Sequence, residues 1–162
     1  MVNILISACL DGNSVRYDDS SVSVINPDFL WIKQHCRIFT FCPEISAGLP
    51  IPRAPAEIEN DDGLAVLNGT AAVIDKEGNN VAYEFISGAL NTLEFCQERS
   101  IRYAILTESS PSCGSTMIYD GSFQGVRKRG QGVTAVLLRH HGIHVYSQND
   151  ITLLRQIIEK ER

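Results

Sequence analysis

A chain of 162 residues with 44% hydrophobic and 20% charged side chains has the make-up of one globular domain with a buried core, expected to span residues 1–162. Its net charge of −5 argues against a dedicated binder of duplex nucleic acid, which needs a basic face. No apolar stretch reaches membrane-spanning length, and Met1-Val2-Asn3-Ile4 carries no basic leader, so no membrane partner and a cytoplasmic setting are expected.

Ile4-Leu5-Ile6-Ser7-Ala8 reads as a first strand running straight into Cys9. Asn26-Pro27 predicts the start of the first helix, with Asn as N-cap and Pro at the first helical position; the helix should run to about His35. Ile38-Phe39-Thr40-Phe41 is a second strand that ends at Cys42. Three prolines between Pro50 and Pro55 force an extended, ordered loop near the sheet edge. Leu64-Ala65-Val66-Leu67 and Ala71-Ala72-Val73-Ile74 flank Asn68-Gly69 and suggest a hairpin or two short edge strands.

A long helix is expected from about Asn80 to Arg99. Ala82, Phe85, Ile86, Ala89, Leu90, Leu93 and Cys96 recur there at helical spacing. Tyr103-Ala104-Ile105-Leu106 is another strand, leading through a polar loop into Cys113. Gly130-Gln131-Gly132 opens a helix through Leu138 that Gly142 terminates, and Ile143-His144-Val145-Tyr146 forms the last strand. Asn149-Asp150 caps a terminal helix. Strands alternating with helices imply an α/β fold of three layers around a mostly parallel sheet, Rossmann-like and covered on both faces.

Five cysteines in a reducing compartment read as thiols or metal ligands rather than a disulfide framework. Cys96 lies on an apolar helix face and Cys36 follows a helix end, so both read as packing residues. Cys9, Cys42 and Cys113 each follow a strand, within loops rich in turn-forming or polar residues. If those strands are parallel, their carboxyl ends share the edge where such sheets bind ligands. No local Cys-x-x-Cys pair accompanies them, so spacing alone leaves open a shared site or three unrelated loop thiols. Three thiolates suit zinc or iron. A structural zinc site wants four ligands and usually shows close pairs. On a [4Fe–4S] cluster, three ligands leave one iron open to a substrate atom or water.

Glu44, two residues beyond Cys42, is a candidate acid or base if desolvation or a nearby anion raises its pKa; otherwise it is a surface residue capping a turn. Ser110 and Ser112 either start turns or pass a proton to a bound molecule. The four histidines show no ligand spacing. Arg127-Lys128-Arg129 reads as a solvated loop. The following Gly130-Gln131-Gly132 is a weak signal for an anion held at a helix N-terminus.

Seven short motifs occur in order: Cys9-Leu10-Asp11-Gly12, Val15-Arg16-Tyr17-Asp18, Cys42-Pro43-Glu44, Gly48-Leu49-Pro50-Ile51-Pro52-Arg53, Ser110-Pro111-Ser112-Cys113-Gly114, Tyr119-Asp120-Gly121 and Gly132-Val133-Thr134-Ala135. Together, from about Ile4 to Val145, the chain resembles a small family long catalogued as a domain of unknown function and now linked to thiouracil desulfidases. The resemblance implies an oxygen-sensitive [4Fe–4S] enzyme in which Cys9, Cys42 and Cys113 hold the cluster. The sulfur of a small thiolated nucleobase would bind the open iron, and water would replace it with no net redox change. Glu44 matches the family's catalytic glutamate, and Ser110 the serine proposed to assist. Two positions depart from the pattern: Thr107-Glu108-Ser109 stands where relatives often carry lysine, and Gln148 where many carry glutamate. Some relatives have a second, C-terminal domain that is not expected here.

Two other readings use the same cysteines. One is a non-catalytic iron–sulfur or zinc-binding sensor or carrier. The other is a cluster-free cysteine hydrolase or transferase, which the lack of a well-placed histidine partner disfavours.

Overall fold

The apolar runs become a layered α/β structure in a computed structural model that describes residues 1–11 and 26–162. Strand β1 (Asn3–Ser7) passes into a 3₁₀ turn (Ala8–Asp11), and α1 (Pro27–His35) leads to β2 (Arg37–Phe41) and the short α2 (Pro43–Ser46). Strand β3 (Ala56–Ile58), α3 (Gly63–Leu67) and β4 (Val73–Asp75) precede the long α4 (Ala82–Glu98). Strand β5 (Tyr103–Leu106) is followed by β6 (Met117–Tyr119) and β7 (Arg127–Arg129). Helix α5 (Val133–His140), β8 (His144–Ser147) and α6 (Ile151–Glu161) complete the order. The Val15-Arg16-Tyr17-Asp18 motif and Gly12 lie outside the described residues.

The central sheet has the order β2-β1-β5-β8, with every neighbouring pair parallel. Its two faces are built by simple alternation along β1. Ile4 and Ile6 pack with Phe29 and Ile32 of α1 and with Leu154 and Ile158 of α6. Leu5 points the other way, into a core with Leu93 and Cys96 of α4 and Ala135 and Leu138 of α5. Burial on both faces explains why the strands read as continuous apolar runs. A third cluster, with Ile58, Val66, Val73, Phe85, Ile118 and Val133, joins β3, β4, α3 and the β6–β7 pair to α4 and α5. No helix among the described residues is long and apolar enough to cross a membrane.

Asn26 caps α1 as its sequence predicts, accepting hydrogen bonds from the Asp28 and Phe29 amides at 2.7 and 3.4 Å. Four expectations are corrected. Leu64–Leu67 is helical, because Asp62 Oδ1 accepts the Leu64 amide at 3.2 Å and the single turn buries Ala65 and Val66. The strand partner of Val73–Asp75 is therefore β3, at the end of the proline-rich loop. Arg127-Lys128-Arg129 is a strand paired antiparallel with Met117–Tyr119, not a loop. Asp150 does not cap α6; its carboxylate turns back to accept the Ser147 amide and hydroxyl, each at 3.3 Å. On α4, Gly88 and Thr92 join the buried face while Leu90 is 53% exposed.

Candidate functional site

Parallel order brings the carboxyl ends of β1, β2 and β5 side by side, and each delivers one cysteine. Cys9 sits in the 3₁₀ turn after β1, Cys42 at the N-cap of α2 after β2, and Cys113 in the loop after β5. All three line one cavity of about 670 Å³, together with Glu44, Ser110 and Arg53. None of the four histidines lines it. Cys36 and Cys96 are buried in the two apolar cores, as their surroundings in sequence imply.

Two residues tie the β1 and β5 thiols together. Cys9 Sγ and Thr107 Oγ1 share a hydrogen bond at 2.9 Å. Ser7 Oγ accepts the Thr107 amide at 3.2 Å and donates to Cys113 Sγ at 3.9 Å. Cys42 sits differently, at the start of α2, where the nearby amides of Ile45 and Glu44 favour its thiolate. That turn is packed tightly against α4, where a Cβ on Gly88 would collide with the Pro43 carbonyl.

The Cys113 loop is held from three sides. Ser110 Oγ accepts the amides of Ser112 and Cys113 at 3.1 and 3.2 Å. The N-terminus of α5 donates into the same loop, Val133 N to Pro111 O and Thr134 N to Ser112 O, both at 2.8 Å. Those amides are thereby satisfied within the chain, so the Gly130-Gln131-Gly132 turn orders the cysteine loop instead of an anion. Gly132 is required there, since a Cβ would lie 2.5 Å from the Ser112 carbonyl. Glu108 supplies the third side. Its Oε1 accepts the amides of Ser109, Ser115, Thr116 and Met117, and its Oε2 accepts the hydroxyls of Ser115 and Thr116. Burial opposes ionisation of this carboxyl, but the Met117 and Thr116 amides and the two hydroxyls outweigh it and bring its pKa down to about 2. The Glu108 amide in turn donates to Gln148 Oε1 at 2.9 Å. The two positions that depart from the family pattern therefore meet beside the cavity.

Glu44 lies in the first turn of α2 and forms an ion pair with Arg53, their side chains 16% and 8% exposed. Arg53 Nε and Nη2 both donate to Glu44 Oε2, the former at 2.9 Å, while Nη1 donates to the Pro50 carbonyl at 3.0 Å. Both guanidinium contacts fall on one oxygen. Among the described residues, Glu44 Oε1 accepts no hydrogen bond and Ser110 has no acceptor for its hydroxyl proton.

Electrostatics bind the thiols into one site. Burial pushes the Cys113 thiol well above its ordinary range, and the charges of Cys42, Glu44 and Cys9 push the same way, against a hydrogen bond from Ser112. Burial likewise raises Cys42, opposed by the Ile45 amide and reinforced by Glu44. Thiols that disfavour one another's ionisation become good ligands beside concentrated positive charge, which a metal centre provides. Among the described residues, no three His, Cys, Asp or Glu side chains converge closely enough to hold a single metal ion. A four-iron cube spreads its ligands farther apart than one ion does, and three thiolates are the donor type it takes.

Sequence reading singled out the cysteines, Glu44 and Ser110 but missed Ser7, Thr107 and Arg53 as site residues. Arg53 carried a signal, as the last residue of the Gly-Leu-Pro-Ile-Pro-Arg motif. Ser7 carried only its position at a strand end, and Thr107 stood out only within the stretch where relatives often carry lysine.

Comparisons with known proteins agree with this architecture. The model of the 2-thiouracil desulfurase family matches residues 4–150. YbbK of Bacillus subtilis (strain 168) is 39% identical over 148 residues, which cover 91% of this chain and 97% of that protein. The solved structure of the [4Fe-4S]-dependent thiouracil desulfidase TudS matches with a TM-score of 0.87 and 39% identity, over 98% of this chain and 99% of its own. Because the matched span runs from β1 to the start of α6 and takes in every cysteine loop, the chain belongs to the 2-thiouracil desulfurase family.

Proposed function

We propose that this chain removes sulfur from a thiolated pyrimidine base of thiouracil type, giving uracil and hydrosulfide. The C–S bond breaks, a C–O bond forms from water, and the two protons of that water leave with the sulfur or pass to solvent. No electrons are gained or lost. The observation that carries this reading is the meeting of three thiols from three separate strand ends in one cavity with Glu44. The likeness to a [4Fe-4S]-dependent desulfidase supports it.

Cys9, Cys42 and Cys113 would hold a [4Fe–4S] cluster. When bound, it supplies one iron without a protein ligand, a Lewis acid with affinity for sulfur. The remaining work falls to the chain. Glu44 Oε1 takes a proton from the attacking water while Arg53 holds Oε2, so the carboxylate is oriented before substrate arrives. Ser110 Oγ has two amides on its lone pairs, which leaves its proton to donate to the bound ring.

The test is iron and acid-labile sulfide on anaerobically reconstituted protein, followed by 2- and 4-thiouracil turnover in the same tube. The expected result is about four irons and four sulfides per chain with hydrosulfide release. Cluster-loaded protein that releases no hydrosulfide from either base would overturn the reading.

A further inference from the structure

The same cavity has an aromatic side chain on its wall with no role in the chemistry above. Phe123 lies in the connection between β6 and β7 and lines the cavity with Tyr119. Its φ is +58°, a left-handed conformation that a bulky side chain rarely adopts. Gly121 and Gly125 of the same turn are also left-handed, at φ +96° and +74°, which glycine adopts freely; Phe123 adopts it with a bulky side chain. Phe123 belongs to none of the three apolar clusters, and among the described residues no other ring or cation packs on it. A half-buried ring that contributes to no core is not held there for folding.

What holds it is a carboxylate. Glu57, on β3 and 9% exposed, accepts the amides of Gly121 at 2.9 Å and Phe123 at 3.2 Å on a single oxygen, Oε1. Asp120 Oδ1 closes the same turn, accepting the Ser122 amide at 2.9 Å and the Ser122 hydroxyl at 2.6 Å. Backbone strain maintained by a buried acid, at a residue facing a cavity, is the mark of a ligand contact rather than of packing.

We infer that Phe123 is the stacking wall for the planar ring of the substrate and so a specificity determinant, with Glu57 as its positioning residue. The inference rests on the desulfidase reading and adds the element that selects a flat heteroaromatic ring. Stacking of a base on an aromatic side chain changes affinity by about 5- to 100-fold.

The experiment compares Phe123→Leu and Phe123→Trp with the cluster-loaded wild type. It measures iron content, KM and kcat for 2-thiouracil, and the inhibition constant of uracil, a flat ring with no sulfur to react. Phe123→Leu is expected to keep its iron and its kcat while KM and the uracil constant rise about 5- to 100-fold. Phe123→Trp should restore both, since it returns a ring in the same turn. A working wild type with Phe123→Leu within twofold of it on both constants overturns this inference alone. Equal losses in the Leu and Trp variants also overturn it, because turn geometry rather than the ring would then be responsible. A loaded wild type that neither turns over thiouracil nor binds uracil overturns the desulfidase reading and this inference with it.

Discussion

The five cysteines divide between two regions of the molecule, and exposure alone does not separate them: Cys42 at the sheet edge is partly exposed, but the other four are buried. Cys9 and Cys113, at the sheet edge, are 8% and 6% exposed; Cys36 and Cys96, in the layers beside the sheet, are 6% and 0%. Their company does separate them. Burial raises Cys96 to about 12 against only the opposing charge of Arg99, as for any thiol sealed in a core. Cys113 is raised by burial too, but its further causes are Cys42, Glu44 and Cys9. Cys113 shares the apolar neighbours of Cys96, and Cys9 those of Cys36, so what marks the site thiols is the other acids beside them; a cysteine with apolar neighbours alone fills space.

The sharpest way to break that division is to substitute each cysteine in turn. Serine at position 9, 42 or 113 is expected to take the reconstituted protein from about four irons per chain to near none, with desulfidation lost. Cys36→Ala and Cys96→Ala should keep full iron content and activity and lose only about 1 kcal/mol of stability. Iron analysis beside chemical denaturation reads both effects. A Cys96→Ala protein without iron, or a Cys42→Ser protein with it, would put the boundary in the wrong place.

Within the sheet-edge region, Glu44 and Arg53 test whether ligand and proton-transfer roles are separate. Glu44→Gln keeps size and hydrogen bonding but cannot take a proton, so turnover should fall by about 10²- to 10⁴-fold with iron unchanged. Arg53→Met removes the two contacts to Oε2 and should lower kcat by about 10- to 100-fold with little change in KM, since it acts through Glu44. In the Glu44→Gln background, Arg53→Met should have almost no further effect. Additive losses would mean that Arg53 acts on something other than the carboxylate.

Local chemistry decided how much of this was readable from sequence. The Asn26-Pro27 cap and the period of α4 depend on neighbours within a turn or two, and they were legible. So was the parallel sheet, because strands covered on both faces are apolar throughout. Leu64–Leu67 was not, since four apolar residues fit a strand and a helical turn equally, and Asp62 decides it from outside the run. Arg127-Lys128-Arg129 pairs with a strand eight residues upstream of it, across a connection too long for a two-residue hairpin turn to announce the pairing. At the candidate site, each cysteine followed a strand, Cys113 after a short polar loop, and Glu44 stood beside one of them. Ser7 and Thr107 meet from opposite parts of the chain, and only the folded sheet brings them together.

The smallest effect concerns how the two regions are held, by packing around Cys96 and by charge around Cys113. Glu108 has a native pKa near 2 against an ordinary 4.5, so its ionised form stabilises the folded state. That contribution is complete above about pH 4.5 and is lost as pH falls toward 2, when the carboxyl takes up a proton and its oxygens accept the loop's donors more weakly. Allowing for solvent screening of a half-buried group, it is worth about 1–2 kcal/mol. Urea unfolding of cluster-free protein at several pH values should therefore find wild type more stable than Glu108→Gln at pH 6. The gap should close between about pH 4.5 and pH 2. Cys96→Ala should instead stay below wild type by the same amount at every pH, because nothing in its surroundings titrates in that range. A Glu108→Gln gap that is constant with pH would mean that the Cys113 loop is held by shape, as the core cysteines are, and not by the carboxylate.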